Sequence, residues 1–185
     1  MKKRYFLLAL MVAVHFLGCT KTIHDRRSRS TVTPESREYF GCRVNGADFV
    51  SEASAGNVSG FCYYQIKYEK TAGRIFQVFS DKFESTCKNS TVGITLDSVD
   101  LVEGKRYDLG AKGEKKNYGT FFLVPDCSQD RIELNTTDGM NNYIIIKKFD
   151  RDKKVVTGIF NFTVNDEFGH LYQITDGIFD RHFQD

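Results

Sequence analysis

The chain has 185 residues, 26 Lys and Arg against 24 Asp and Glu, and a formal net charge of +2. An apolar fraction of 41% is too high for a disordered chain. No apolar run reaches the roughly 18 residues that span a bilayer, and the 15 glycines are neither periodic nor abundant enough for a collagen-like protein. These limits leave a globular protein.

The first 18 residues have the pattern of a lipoprotein signal peptide. Residues 2–4 are cationic, and the apolar stretch over residues 5–17 is too short for a membrane-spanning helix. Gly18 and Cys19 at its end resemble a bacterial lipobox. The resemblance implies cleavage after Gly18 and acylation of Cys19. An ordinary secretory signal followed by an unrelated cysteine is the alternative.

Residues 19–37 predict a flexible tether, because they are rich in Thr, Ser and Arg and have no apolar periodicity. They hold five cations and two anions, so the tether either lies against anionic headgroups or is a solvated spacer. Acyl chains on Cys19 would anchor the protein, since each buried methylene contributes about 0.8 kcal/mol. An acidic run after Cys19 would resemble the surface-export signal of Bacteroidota lipoproteins. None is present, which favours the outer membrane facing the periplasm.

Residues 38–185 are long enough for one domain with its own core. Their apolar residues alternate with a period of two, which is typical of half-buried antiparallel strands. The clearest runs are 62–69, 91–97 and 155–164. No segment has a strong helical face, and the best place for a short helix is the region 83–90.

Turn chemistry separates the runs. Asn45 and Gly46 both tolerate a positive φ, which predicts a two-residue hairpin. A long hairpin is expected over residues 142–164, and the strand after it slips its alternation near Asp176 and Gly177, as a β-bulge would cause. About nine or ten strands result. They predict an all-β antiparallel β-sandwich, with a lipocalin-like or other closed barrel as the alternative.

Four cysteines remain beyond the tether: Cys42, Cys62, Cys87 and Cys127. An even number in an exported chain favours disulfides, and three connectivities are possible. We expect Cys42–Cys62, on consecutive predicted strands, and Cys87–Cys127, just past the ends of two apolar runs. Each bond would contribute about 2–4 kcal/mol. A metal site is disfavoured because there is no Cys-x-x-Cys and no histidine near any cysteine.

Catalytic motifs are absent from the sequence. The two histidines of the domain, His170 and His182, lie on a terminal strand beside polar residues, and no Gly-x-Ser-x-Gly elbow accompanies them. No calcium loop, phosphate loop or dinucleotide fingerprint is found, so no catalytic residue, metal or cofactor is predicted. Nucleic acid is disfavoured by the expected compartment and by the lack of a basic stripe.

The aromatic content suggests a candidate binding surface. Alternation places Phe61, Tyr63 and one of Phe121 and Phe122 opposite the core, with Phe121 taken as the third member. A domain with both faces of its central strands covered is the alternative. The chain has no Trp, which weakens a carbohydrate-binding role.

Residues 97–99 (Asp-Ser-Val) resemble the short O-glycosylation motif of Bacteroidota exported proteins, which implies a modification at Ser98. Four longer segments together resemble families of small Bacteroidota lipoproteins with domains of unknown function. The resemblance implies a lipobox, a β-rich domain and no established activity, so it assigns no catalytic residue. The segments are Phe40-x-x-x-Val44-Asn45-Gly46-x-x-Phe49, Gly104-Lys105-x-Tyr107-x-Leu109, Thr157-Gly158-x-Phe160-x-Phe162 and Ile174-Thr175-Asp176-Gly177-x-Phe179-Asp180.

The sequence therefore predicts a cell-envelope lipoprotein with a non-catalytic binding domain. The membrane would be met through the acyl chains, and an envelope protein or glycan through the sheet face or the loops. A lipocalin-like carrier of a small apolar ligand and an envelope hydrolase with an unrecognised site are the alternatives.

Overall fold

The computed structural model describes residues 38–51, 60–66, 73–83, 88–127 and 130–184. The signal peptide and tether, including Cys19, lie outside these ranges. No described residue is helical: β4 extends to Phe83 and β5 begins at Asn89, so the helix predicted over 83–90 is not found in its described part. The strands are β1 (Glu38–Val44), β2 (Ala47–Ser51), β3 (Gly60–Ile66), β4 (Arg74–Phe83), β5 (Asn89–Asp97), β6 (Arg106–Asp108), β7 (Tyr118–Val124), β8 (Ile132–Asn135), β9 (Tyr143–Asp150), β10 (Val155–Asn165) and β11 (Leu171–His182).

The strands form two antiparallel sheets. Sheet A has six strands in the order β2-β1-β11-β10-β9-β6, and sheet B has five in the order β3-β4-β5-β7-β8. Neither sheet closes into a barrel, so the predicted sandwich is confirmed and the closed barrel is not found. The described residues form eleven strands, where the sequence predicted nine or ten. Short strands such as β6, with three residues, are too brief to show an alternation in the sequence.

Side chains from both sheets fill the space between them. The inward positions are almost all apolar, and most are fully buried. Aromatic rings bridge the two sheets along much of their length, at separations typical of favourable ring pairs. The interior is therefore a packed core. The bridging pairs, with ring-centroid distances, are Phe76–Phe179 (6.1 Å), Tyr64–Phe149 (5.2 Å) and Phe121–Tyr172 (5.3 Å).

The predicted Asn45-Gly46 hairpin turn is confirmed. Asn45 and Gly46 have φ values of 50° and 79° and join β1 directly to β2. Asn45 also fixes this turn to the neighbouring strand β11. Its backbone amide donates to the carbonyl of Gln173 at 2.9 Å, and its side-chain oxygen accepts from the Gln173 amide at 2.8 Å.

The predicted irregularity in β11 is also confirmed. Asp176 has a φ of 53°, and the pairing of β11 shifts register at this point against both β1 and β10. On the β1 side, Gly41 pairs with Ile178 and Arg43 pairs with Thr175. The bulge returns the apolar residues on both sides of it to the core, because an unbroken period of two would turn half of them outward.

Two aromatic–glycine pairs tighten the contact between β10 and β11. Gly158 is the register partner of Phe179, and Phe160 is the register partner of Gly177. Each phenylalanine ring lies over the glycine opposite. A Cβ on Gly158 would stand 2.5 Å from the Phe179 ring, and one on Gly177 would stand 2.4 Å from the Phe160 ring. Only glycine leaves room for this approach.

The C-terminal residues join the two sheets at one edge. After β11, Phe183 is buried between the rings of Tyr64 in sheet B and Phe149 in sheet A. Gln184 then pairs with the outer side of β3: its amide donates to the carbonyl of Cys62 at 3.0 Å and its carbonyl accepts from the amide of Tyr64 at 2.9 Å. This part of the β3 edge is consequently covered.

The predicted Cys42–Cys62 disulfide is wrong. Both residues are buried thiols, and no disulfide joins two described residues. The prediction assumed that consecutive strands would be neighbours. Cys42 lies on β1 in sheet A and Cys62 on β3 in sheet B, where their register partners are Phe49 and Val78. Cys127 is disulfide-bonded, but Cys87 lies outside the described residues, so the Cys87–Cys127 pairing stays a prediction.

We expect thiol labelling to separate the two pairs. In the chain from residue 19 onward carrying Cys19→Ser, a maleimide should react slowly or not at all before unfolding, because Cys42 and Cys62 are buried. Burial also raises the pKa of Cys42 to about 12, against the opposing effect of nearby Lys82, and the thiolate is the reactive form. In denaturant without reductant, two labels per chain should appear, read by intact mass. If no label appears, then Cys42 and Cys62 are joined by a disulfide after all. The Cys42→Ala chain should take one label, on Cys62.

Candidate functional site

The outer face of sheet B carries three aromatic rings in contact. Phe61 and Tyr63 lie two residues apart on edge strand β3, and Phe79 lies directly opposite Phe61 on β4. The ring centroid of Phe61 is 4.9 Å from that of Tyr63 and 4.8 Å from that of Phe79. Phe61 is 41% exposed, and the other two are half-buried. We call these three residues the aromatic strip.

A glycine sets the position of the third ring. Phe79 pairs with Gly93 on β5, and a Cβ on Gly93 would stand 2.2 Å from the Phe79 ring. The ring therefore packs closely over the backbone of β5 at Gly93. Phe79 thus continues the apolar surface of Phe61 toward the middle of the sheet.

Polar side chains border the strip. Gln77 donates to the hydroxyl of Thr95 at 3.3 Å, and both residues lie in the register row of Tyr63. On the next two strands Thr120 donates to Asn135 at 2.9 Å. The outer face of sheet B thus has an apolar part at the β3–β4 edge and a hydrogen-bonded polar part beyond it. Thr95 and Thr120 are themselves buried, so Phe61 is more accessible than either threonine.

An ion pair ends the polar part at the opposite edge. Lys112 contacts Glu133 closely, and Asn135 donates to the same carboxylate at 3.1 Å. The hydrogen bond from Lys112 holds the pKa of Glu133 below its usual range, and the same bond raises the pKa of Lys112. Both groups are therefore charged at neutral pH, and this edge is strongly polar.

The placement of Phe121 on the outer face is wrong. Phe121 is 3% exposed and packs against Tyr172 in the core, in register with the inward residues Val92 and Leu134. Its neighbour Phe122 points outward instead. The guanidinium of Arg131 stands 3.5 Å from the centroid of that ring and covers it, so Phe122 does not extend the aromatic strip.

The remaining residues singled out from sequence are dispersed. Ser98 is exposed at the end of β5 with a φ of 62°, and its hydroxyl donates to the carboxylate of Asp97 at 3.0 Å. His182 is exposed at the end of β11. Neither lies on a register row of the aromatic strip. Modification of Ser98 stays a prediction.

The His170–Asp166 pair stabilises a turn. The His170 ring is 2.8 Å from the Asp166 carboxylate, which also accepts the amides of Phe168 and His170 at 2.9 and 2.8 Å. Burial acts to raise the pKa of Asp166, but the hydrogen bonds from His170 and Phe168 outweigh it and hold the pKa below its usual range. Among the described residues, only Asp166 hydrogen-bonds to the His170 ring. The arrangement is that of a turn between β10 and β11 without an adjacent nucleophile.

Across the described parts of the chain, no group of three or more His, Cys, Asp and Glu side chains is placed to hold a metal ion. Within those parts there is also no helix long and apolar enough to cross a membrane.

A second exposed apolar row crosses the outer face of sheet A. It is aliphatic, with Ile145, Ile159 and Ile178 aligned on adjacent strands and Val50 beyond Gly41. Ile178 is 50% exposed and Val50 is 40% exposed. This row is wholly aliphatic, whereas the strip on sheet B is wholly aromatic. Sheet A therefore offers a comparison surface of similar exposure and different chemistry.

Sequence reasoning found two of the three rings and missed Phe79. Phe79 is one of several apolar residues in β4, and its two neighbours in the sequence face the core. The available signal was Gly93 in the middle of a strongly alternating strand, because a glycine there commonly marks a close approach by a neighbouring group.

Comparisons of the chain with protein-family models, with curated proteins and with solved structures find no match. The resemblance to Bacteroidota lipoproteins accordingly stays an expectation.

Proposed function

We propose that this protein is a lipid-anchored component of the bacterial outer membrane, facing the periplasm, whose β-sandwich binds a protein partner without catalysis. The observation that carries the binding role is the aromatic strip, in which Phe61, Tyr63 and Phe79 touch and stay partly exposed at a sheet edge. Aromatic side chains bury large areas on association and are enriched at the centres of protein interfaces. The lipid anchor rests on the lipobox-like sequence at Cys19.

The geometry of the strip favours a protein over a glycan. The rings are tilted against each other by 46° and 32° and so form a compact ridge. A flat platform for stacking a sugar ring would need a single ring face presented to solvent, and the ring of Phe79 is half-buried against Gly93. The packed interior likewise supports a surface interaction over the carrier alternative, since bridging rings occupy the space that an internal ligand would need.

Site-specific photocrosslinking in the native envelope tests this role. A benzophenone amino acid at Phe61 should give a discrete protein adduct, and the same group at Ile178 on the outer face of sheet A should not. Ile178 is the matched control because its exposure, 50%, is close to the 41% of Phe61. An adduct at Ile178 alone would move the interface to sheet A and contradict the proposal.

Competition gives the quantitative result. Added wild-type domain should suppress the Phe61 adduct, and the Tyr63→Ala domain should need at least tenfold more protein, since truncating an interface aromatic commonly costs 1–2 kcal/mol or more. Equal competition by Tyr63→Ala would remove the strip from the interface. If a purified glycan, and no protein, blocks the adduct, then the partner class is wrong.

A further inference from the structure

Positive charge is concentrated in one hairpin of the domain. Residues 147–154, at the end of β9 and in the turn to β10, hold five cations and two anions. The rest of residues 38–185 holds thirteen cations and twenty anions. All five of the hairpin's cations are exposed. We call the set the basic hairpin: Lys147, Lys148, Arg151, Lys153 and Lys154.

Local structure projects these charges away from the core. A register shift between β9 and β10 pairs Lys148 with Thr157 and Ile146 with Gly158, so Lys147 is an extra residue at a bulge. Arg151 lies at the end of the sandwich, with its guanidinium 5.8 Å from the ring centroid of Tyr64. The hairpin therefore presents cations both on the outer face of sheet A and across the end of the domain.

One acidic residue of the hairpin serves its turn. The Asp150 carboxylate accepts the amide of Lys153 at 2.9 Å, and that hydrogen bond is the main cause of its lowered pKa. Its side chain is only 24% exposed, against 68% for Lys153. The cations of the hairpin are thus more accessible to a large partner than Asp150 is.

The tether joins the domain at the same end. Strand β1 begins at Glu38, which pairs with Arg181 of β11, and Arg181 pairs with Val156 of β10. Val156 follows the turn of the basic hairpin directly. Strands in a sheet are about 4.8 Å apart, so the first residue of β1 lies roughly 10 Å from that turn. We call the end of the sandwich that holds the start of β1 and the β9–β10 turn the tether end.

The opposite end of the sandwich is acidic. It carries the β1–β2 turn and the β10–β11 turn, and Asn45 in the first turn bonds to Gln173 near the start of β11. Asp48 and Asp176 lie near the first of these turns, 82% and 72% exposed, each within 4 Å of Arg43. The β10–β11 turn itself contains Asp166 and Glu167. The tether end has carboxylates of its own, including Glu103, which accepts the amide of Phe149 at 3.3 Å. The five cations of the basic hairpin nevertheless lie at the end of the sandwich where the tether begins.

We propose that the basic hairpin is a second membrane contact, which binds an anionic phospholipid surface beside the acyl anchor. The proposal rests on the lipid anchoring proposed above. A tether attached at the end that holds the basic hairpin brings that end toward the headgroups and turns the acidic end away. Each Lys or Arg near an anionic surface strengthens association about fivefold, so a net charge of three contributes roughly 100-fold.

Vesicle binding of the chain from residue 19 onward, carrying Cys19→Ser to exclude acyl chains, tests the contact. This chain should sediment with vesicles of phosphatidylglycerol and phosphatidylethanolamine at low salt, and much less with phosphatidylcholine vesicles. Changing Lys147, Lys148 and Lys153 to Gln should weaken binding by roughly 10- to 100-fold, because three exposed charges are lost. High salt should lower the vesicle binding of the wild-type chain toward that of the triple variant. Salt screens charge–charge attraction strongly beyond about 10 Å at 0.1 M.

The matched control removes three cations from the acidic end. Arg43 pairs with Asp48 and Asp176, Lys82 donates to the carbonyl of Asp48, and Lys88 precedes β5 at the same end. Arg43→Gln, Lys82→Gln and Lys88→Gln together change the net charge equally and keep the tether and the basic hairpin. This variant should bind within about threefold of wild type. If both triple variants lose the same vesicle affinity, then net charge alone explains the binding and the proposal is overturned. An unchanged affinity of the hairpin variant would also overturn it. Crosslinking at Phe61 is independent of both outcomes, so failure here leaves the binding role of the strip intact.

Discussion

Replacing Phe183 with alanine should lower the free energy of unfolding by about 3–5 kcal/mol, the usual loss for a fully buried phenylalanine. Phe183 is 2% exposed, and its ring stacks on Phe149 at 5.5 Å and meets the edge of Tyr64 at 5.8 Å. Because Phe149 belongs to sheet A and Tyr64 to sheet B, the substitution opens a cavity between the sheets. Urea unfolding followed by circular dichroism measures the loss.

Phe168→Ala is the matched control for Phe183→Ala. It makes the same chemical change in the β10–β11 turn, where Phe168 is 78% exposed. A surface substitution of this kind should change stability by about 0.5 kcal/mol or less. Equal effects of the two substitutions would show that the C-terminal ring does not hold the sheets together.

Hydrogen exchange follows the local consequence of Phe183→Ala. Gln184 accepts the amide of Tyr64 and donates to the carbonyl of Cys62, so it covers part of the β3 edge. When the ring before Gln184 is lost, the amide of Tyr64 should exchange faster, while amides in the centre of sheet A should change only with global stability. An unchanged Tyr64 amide would separate the pairing of Gln184 from the burial of Phe183.

Features encoded by a few neighbouring residues could be read from the sequence. Asn45 and Gly46 specify a hairpin because both accept a positive φ, and the structure has them there. The slip in alternation around Asp176 and Gly177 located a real bulge. In each case the physical cause is the backbone conformation of one or two residues, which does not depend on the rest of the fold.

Features that depend on distant strands could not be read in this way. Cys42 lies on β1 and Cys62 on β3, and the chain changes sheets between β2 and β3, a change that nothing local encodes. Strand β1 finds its main partner in β11, and Glu38 pairs with Arg181 at the other end of the domain sequence. Sheet membership is a property of the whole set of pairings, so the disulfide inferred from adjacency was wrong.

The facing of two adjacent phenylalanines was ambiguous for a related reason. Phe121 and Phe122 are equally apolar, and a period of two allows either to face the core. Their facing is set by the register with β5 and β8, which aligns Phe121 with Val92 and Leu134. The aromatic strip has the same dependence, because Phe79 joins it only where Gly93 leaves room on β5.

Substituting Gly158 with alanine should lower the free energy of unfolding by about 1–3 kcal/mol, the range for overfilling a packed core. In most strands this change stabilises, since glycine is the less favourable residue by about 0.5–1 kcal/mol. At Gly158 the added Cβ would stand 2.5 Å from the ring of Phe179 and 2.8 Å from the carbonyl oxygen of Ile145. The sign of the effect therefore distinguishes the close aromatic–glycine contact from an ordinary strand position.

A double-mutant cycle with Phe179→Leu isolates that contact. Leucine removes the distal ring atoms that the new Cβ would strike, so Gly158→Ala should cost less in the Phe179→Leu background than in the wild type. We expect a coupling of about 0.5–3 kcal/mol. Relief should be incomplete, because the Ile145 carbonyl belongs to the backbone of β9 and moves only with its strand. If the two substitutions are simply additive, then the ring of Phe179 does not set the requirement for glycine at position 158.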